Sequence, residues 1–196
     1  INEVVHRPAG RDIDGDGQSN SRDELLEVLS VADEPVHLGG AELHWAGSRR
    51  GAVTASGCIN PLTAAVIVGS TTGPFTLPEG AQRLVLDRTL RLTDGGGELT
   101  LVGLSGTTLG SVQLPPANSA ATGCVCRQIE GERGAAMVPH AQLERAEGAA
   151  WSPGLCASGD RFPACLNVQG GGATRAAADQ SRSPHGHVDA TGASGA

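Results

Sequence analysis

Apolar positions along the chain occur in short runs that mostly alternate with polar positions, a pattern typical of β-strands. Turn residues such as Gly39-Gly40 and Pro115-Pro116 separate these runs. The pattern predicts eight strands, over residues 1–6, 24–31, 36–38, 41–46, 64–69, 83–87, 98–104 and 108–114. Short strands at this spacing predict an all-β sandwich or barrel.

The segment 23–34 is compatible with two structures. Ser21 and Glu24 have the spacing of a capping box, which favours an amphipathic helix. Val28 and Val31 are β-branched, however, and the other apolar segments are all strand-like. We therefore predict a strand here.

The composition changes at Asn167. From that residue to the last, the sequence contains no Leu, Ile, Phe or Trp. Such a segment cannot bury enough apolar area to offset the entropy lost on ordering. We predict one domain over residues 1–166 and a disordered Gly/Ala/Ser-rich tail over 167–196.

Charge and hydropathy exclude two classes of partner. The net charge is −7, the basic residues are all arginine, and the only local basic pair in the folded part is Arg49-Arg50. We expect no nucleic-acid binding, because that requires clustered cations. No apolar run is long enough to cross a bilayer, so we expect no membrane insertion. The chain begins at Ile1, as a mature secreted protein or an excised domain would.

The chain contains five cysteines, an odd number that predicts two disulfides and one free thiol. Cys156 and Cys165 are the favoured pair because they enclose a short loop. Cys124 and Cys126 would share one face of an extended segment, so each would bond elsewhere; Cys58 is the fifth. Disulfides indicate an oxidising location: extracellular, periplasmic or at the cell surface. An odd cysteine also permits a covalent dimer.

An acidic stretch, DIDGDGQSNSRDE, follows the first apolar run. Its Asp-x-Asp-x-Asp-Gly start matches the first half of an EF-hand loop, and calcium prefers six to eight oxygen ligands. Pro8 and Gly10 exclude an entering helix, so the EF-hand fold itself is not predicted. A solvated acidic turn is the alternative. The predicted calcium ligands are Asp12, Asp14, Asp16, the carbonyl of Gln18, Asn20, and Asp23 or Glu24.

Several separated stretches resemble the lamin-tail domain of the bacterial secreted type. They are INEV at 1–4, DELLEV at 23–28, PVHLGGAEL at 35–43, LRLTDGGGELTLVGLSGTTLGSVQL at 90–114, and MVPHAQLERAEGAAWSPG at 137–154. The resemblance implies an immunoglobulin-like β-sandwich without catalysis, found outside the cytoplasm. Ala41 stands where the family usually has a tryptophan, a core position that Trp45 or Trp151 would have to fill.

No common catalytic motif is present, including G-x-S-x-G, H-E-x-x-H and the P-loop. His140, in the closing family-like stretch, is expected to anchor its loop through a backbone contact. We therefore expect a non-catalytic module for adhesion, scaffolding or targeting, with an unknown protein or a surface glycan as partner. The alternatives are an accessory or metal-dependent domain of an extracellular hydrolase, and a disulfide-held surface protein.

Overall fold

The computed structural model describes residues 1–6, 8, 12–54, 56–116, 124–147 and 151–166. The predicted tail over 167–196 lies outside these residues. The described residues contain twelve strands, two short 3-10 turns at His140–Gln142 and Glu144–Ala146, and no α-helix. The strands are β1 Glu3–Val5, β2 Leu25–Leu29, β3 Val36–His37, β4 Glu42–Trp45, β5 Ser48–Ala52, β6 Cys58–Ile59, β7 Ala64–Val68, β8 Gln82–Val85, β9 Gly97–Val102, β10 Thr108–Leu114, β11 Cys124–Arg127 and β12 Met137–Pro139.

The strands form two larger sheets and a small one. The six-stranded sheet has the order β12-β11-β1-β2-β7-β8, and the four-stranded sheet has the order β10-β9-β4-β5. Strands β3 and β6 pair separately, and only the β7–β8 pair is parallel. This arrangement confirms the predicted all-β sandwich. It also confirms the strand interpretation of segment 23–34, because β2 pairs with both β1 and β7.

One apolar core lies between the two larger sheets. Leu26 and Val28 of β2 enter this core together with Leu43 and Trp45 of β4. Trp45 is 1% exposed, and its indole N–H donates a 3.0 Å hydrogen bond to the Thr93 hydroxyl. Trp45, rather than Trp151, therefore supplies the large aromatic side chain of the main core.

The outer face of the six-stranded sheet is also covered. Leu25 of β2 and Val66 of β7 point to this side, where Ile13, Phe75 and Trp151 pack over them. Two covered faces explain why every residue of β7 is buried and why its sequence, AAVIV, does not alternate.

Cys156 and Cys165 form a disulfide with a Cα–Cα distance of 5.9 Å, as predicted. The expectation of a second disulfide is wrong. Cys124 and Cys126 are both buried on the outer side of β11, whereas Cys58 is exposed on β6 in another sheet. Burial raises the pKa of the Cys126 thiol, so this thiol is unreactive.

Within the described part of the chain, no helix is long and apolar enough to span a membrane.

Candidate metal site

The acidic loop connects β1 to β2. Its three alternating aspartates, Asp12, Asp14 and Asp16, converge so that one carboxylate oxygen from each lies within 4.8 Å of the others. The backbone turns through Gly15 and Gly17, whose φ angles are +72° and +85°. Side chains other than glycine rarely adopt such angles, so these two glycines allow the tight turn that brings the carboxylates together.

Backbone N–H groups fold the loop around Asp12. Its two carboxylate oxygens accept hydrogen bonds from the N–H groups of Asp16, at 2.9 Å, and Gly17, at 2.7 Å. Asp16 in turn accepts a bond from the N–H of Gln18 at 2.8 Å. A carboxylate has about four lone-pair positions, so each group can accept these bonds and still bind a cation. The loop is thus ordered around a cluster of three negative charges.

Asp23, the twelfth position of the loop, is fully buried. One of its carboxylate oxygens accepts a hydrogen bond from the N–H of Ile13 at 2.6 Å, and the other accepts one from Asn20 at 2.8 Å. Asp23 therefore joins the two ends of the loop. In this structure it is not one of the three clustered carboxylates.

Two further predicted ligands, Glu24 and Asn20, accept hydrogen bonds from the backbone. Glu24 is buried, and its carboxylate accepts a 2.9 Å hydrogen bond from the N–H of Leu92. The side-chain oxygen of Asn20 accepts a bond from the N–H of Arg22 at 2.8 Å. Of the predicted carboxylate ligands, the structure brings together the three alternating aspartates.

The loop is attached to the connection between β7 and β8. Asp14 accepts a 2.8 Å hydrogen bond from the N–H of Gly73, and the Thr72 hydroxyl donates to the carbonyl of Arg22 at 2.5 Å. A Cβ atom at Gly73 would lie 3.1 Å from the Cβ of Asp14, so a larger residue there would have to displace Asp14 by a few tenths of an ångström. Arg83 holds the same connection by donating to the carbonyls of Thr72 and Gly73.

A positive side chain lies beside the cluster: Arg22 Nη1 is 3.2 Å from a carboxylate oxygen of Asp16. This cation would compete with a metal for the same oxygen. Replacing Arg22 with glutamine should therefore increase calcium affinity about two- to five-fold, the range expected for one exposed ion pair. Calorimetric titration measures the change, and Arg88→Gln, a variant of another exposed arginine, should leave the affinity unaltered. An unchanged affinity in the Arg22 variant would contradict the predicted competition between Arg22 and the metal.

A buried polar cluster joins the start of the chain to its last described segment. The carboxylate of Glu3 on β1 accepts hydrogen bonds from the N–H of Ser152, at 3.1 Å, and from its hydroxyl, at 2.9 Å. His140 Nε2 lies 2.8 Å from the same hydroxyl. His140 thus anchors its loop through a side-chain contact, in addition to any backbone contact of the kind predicted.

A second buried carboxylate extends this cluster. Glu27 lies directly opposite Glu3 in the β1–β2 register. It accepts hydrogen bonds from the Asn2 amide, at 2.8 Å, and from the N–H of Gly154, at 2.5 Å. Burial and the nearby Glu3 carboxylate raise the pKa of Glu27 well above its usual range. The sequence carried a signal for these groups, because both glutamates interrupt strands that are otherwise apolar.

The contact between Ser152, His140 and Glu3 differs from a catalytic triad. In a triad the acid orients the imidazole, which accepts the proton of the serine hydroxyl. Here the Ser152 hydroxyl donates its hydrogen bond to Glu3 itself, and the Glu3 carboxylate lies 3.7 Å from His140 Nε2. His140 is also completely buried. We interpret the three residues as a structural clamp.

Glu24 provides a stability prediction. Burial raises its pKa from 4.5 to about 8. The folded protein therefore retains a proton that the unfolded chain releases above pH 4.5, so the free energy of unfolding falls between pH 4.5 and 8. The slope for one such group is at most about 1.4 kcal/mol per pH unit. Glu24→Gln should reduce this slope in urea unfolding curves, whereas the exposed control Glu98→Gln should not. Equal slopes in all three proteins would contradict the assignment.

Glu130, Cys156 and Cys165 form a second group with metal-ligand chemistry. Its two sulfur atoms are joined in the disulfide, so they are unavailable as thiolate ligands in this state. The aspartate cluster is thus the stronger metal candidate.

No family model matches the chain, and no curated protein matches it significantly.

Proposed function

We propose that the chain is a non-catalytic β-sandwich module of the lamin-tail type, in which a calcium ion braces the loop between the first two strands. Its role would be adhesion, scaffolding or targeting outside the cytoplasm, with a protein or a surface glycan as partner.

One observation supports the proposed relation to this family. The stretches that resemble the family are far apart in sequence, yet their polar side chains meet in the buried cluster. Asn2 and Glu3 come from INEV, Glu27 from DELLEV, His140 from VPH, and Ser152 from SPG. A shared structural requirement explains why these polar residues occur together with these motifs.

The calcium assignment is supported by the chemistry of the loop. Three carboxylates lie within 4.8 Å, and three like charges this close repel one another unless a cation neutralises them. Calcium favours flexible carboxylate oxygens, whereas magnesium requires a near-ideal octahedron. The buried Asp23 keeps the loop ends together, so the site is partly organised before metal binds.

The cysteines support the proposed location and the proposed mode of association. A disulfide is typical of proteins in oxidising compartments, which supports an extracellular, periplasmic or cell-surface location. Cys58 is exposed, and it is the thiol that a covalent dimer would use.

The hydrolase alternative requires an open metal position beside a cleft that also holds a general base. One cleft in the described residues is lined by other parts of the chain, and none of the three aspartates contributes to it. This arrangement favours a structural metal over a catalytic one.

Calorimetric titration of chelator-treated protein with calcium tests the proposal. We expect saturable binding at one site, lost in Asp16→Ala and retained in Asp33→Ala, a variant of an exposed carboxylate on another loop. Asp16 is a suitable target because it is exposed and its side chain contacts only loop residues. No heat at millimolar calcium, or equal binding by both variants, would refute a calcium site in this loop.

A further inference from the structure

A cleft of about 540 Å³ opens at one end of the sandwich, where β1 begins and β2 ends. Its floor is apolar and belongs to the main core: it is formed by Val28, Leu38, Ile59, Leu101 and Leu109. Leu109 is the extra residue of an irregularity in the β9–β10 register, and such bulges redirect a side chain. The cleft thus gives a ligand access to the interior of the sandwich.

Two arginines line this cleft, and no aspartate or glutamate does, in a chain with a net charge of −7. Arg127 is 6% exposed and donates hydrogen bonds to the carbonyls of Ile1, Ala135 and Ser111. Among the described residues, no carboxylate lies within ion-pair distance of it. Buried charges are normally paired, so this cation lacks the counter-charge that its burial requires. A guanidinium has five N–H donors, which leaves donors for a ligand.

A second polar group in the cleft also lacks a partner. Ser30 is 4% exposed, and its hydroxyl makes no hydrogen bond in the structure. Leaving a buried hydroxyl without a partner destabilises a protein, so such a group in a native fold calls for an explanation. A ligand oxygen in the cleft would supply that partner.

We propose that this cleft binds a small aliphatic carboxylate, with its chain on the apolar floor and its head group at Arg127, Ser30 and Arg133. The exposed Arg133 lies at the mouth and adds positive charge there. The alternative occupant is a peptide added as a strand to the free edge of β10. That edge is less suitable, because the carbonyl of Ser111 already accepts a hydrogen bond from Arg127. The proposal does not depend on calcium binding.

Calorimetric titration of the full chain with octanoate, octanol and octylamine at pH 7 tests the head group. We expect octanoate to bind about tenfold or more tightly than octanol, because its head group makes charge-assisted hydrogen bonds. Octylamine should not bind. Equal affinities for octanoate and octanol would overturn the role of the arginines. If an N-acetylated tripeptide with a C-terminal leucine binds more tightly than octanoate, the cleft is a peptide site.

Two variants test whether the ligand binds at the proposed position in the cleft. Ser30→Ala should weaken octanoate binding about tenfold and at the same time raise the melting temperature, because it removes an unsatisfied hydroxyl. A purely structural role for Ser30 would not weaken binding while raising stability. Arg133→Gln should weaken binding without altering the fold, since Arg133 is exposed. Ser48→Ala and Arg88→Gln, both at exposed sites outside the cleft, are the matched controls. Unchanged octanoate binding in both cleft variants would refute the site.

Discussion

Replacing Glu3 with alanine is expected to lower the free energy of unfolding by about 3–5 kcal/mol, the usual cost of removing one partner of a buried charged network. Glu3 is 1% exposed and accepts bonds from the N–H and hydroxyl of Ser152 and from the thiol of Cys124. Alanine removes the acceptor of the buried Ser152 N–H and the carboxylate that the Ser152 hydroxyl and the Cys124 thiol contact. Urea unfolding monitored by tryptophan fluorescence measures the loss.

Two matched variants separate burial from charge. Glu98→Ala removes an exposed glutamate on β9 and should cost less than about 0.5 kcal/mol. Glu3→Gln retains the size and one acceptor oxygen, and it relieves the repulsion with Glu27, so it should cost less than Glu3→Ala. A Glu3→Ala protein as stable as the Glu98→Ala protein would contradict the role of the buried cluster as the link between β1 and the segment at Ser152.

The second large effect is expected at Asp23. Asp23→Ala removes a buried carboxylate that accepts bonds from the N–H groups of Ile13 and Asn20. Leaving one buried and one half-buried donor unsatisfied costs about 2–4 kcal/mol. Because these bonds join the ends of the loop, calcium affinity should also fall at least about tenfold, through the added entropy of ordering the loop.

Asp33→Ala is the control, since Asp33 is an exposed carboxylate outside the loop. Asp23→Asn retains one acceptor oxygen and should fall between the wild type and the alanine variant in both stability and calcium affinity. Calcium affinity is measured under conditions where Asp23→Ala stays folded. An affinity equal to that of the wild type would show that calcium binding does not require the Asp23 hydrogen bonds.

Strands were predictable where apolar and polar residues alternate along them or where they contain β-branched residues. Strand β2 was assigned correctly because Val28 and Val31 favour a strand over the helix suggested by the capping box. Strand β5 was missed because it is a polar edge strand with little to bury, and edge strands leave a weak hydrophobic pattern. Strand β11 was missed because its buried positions include two cysteines and an arginine rather than an apolar run.

The candidate site was predictable only as far as local spacing determines it. Asp12, Asp14 and Asp16 follow a spacing that brings their carboxylates together around a turn. Asp23 and Glu24 are consecutive, and consecutive side chains in an extended segment point to opposite sides. The sequence could not indicate that each would be buried against a different part of the fold. The apolar cleft was not predictable, since its walls come from strands far apart in sequence.

The most direct test of the calcium-braced sandwich is thermal melting of wild-type protein and Asp16→Ala, each in saturating calcium and in chelator. A ligand at about one hundred times its dissociation constant stabilises the folded state by about 2.7 kcal/mol. For a domain of this size that corresponds to a rise in melting temperature of several degrees. We predict this rise for the wild type and its loss in Asp16→Ala. The same melting temperature for the wild type in calcium and in chelator, or an equal rise in the variant, would contradict it.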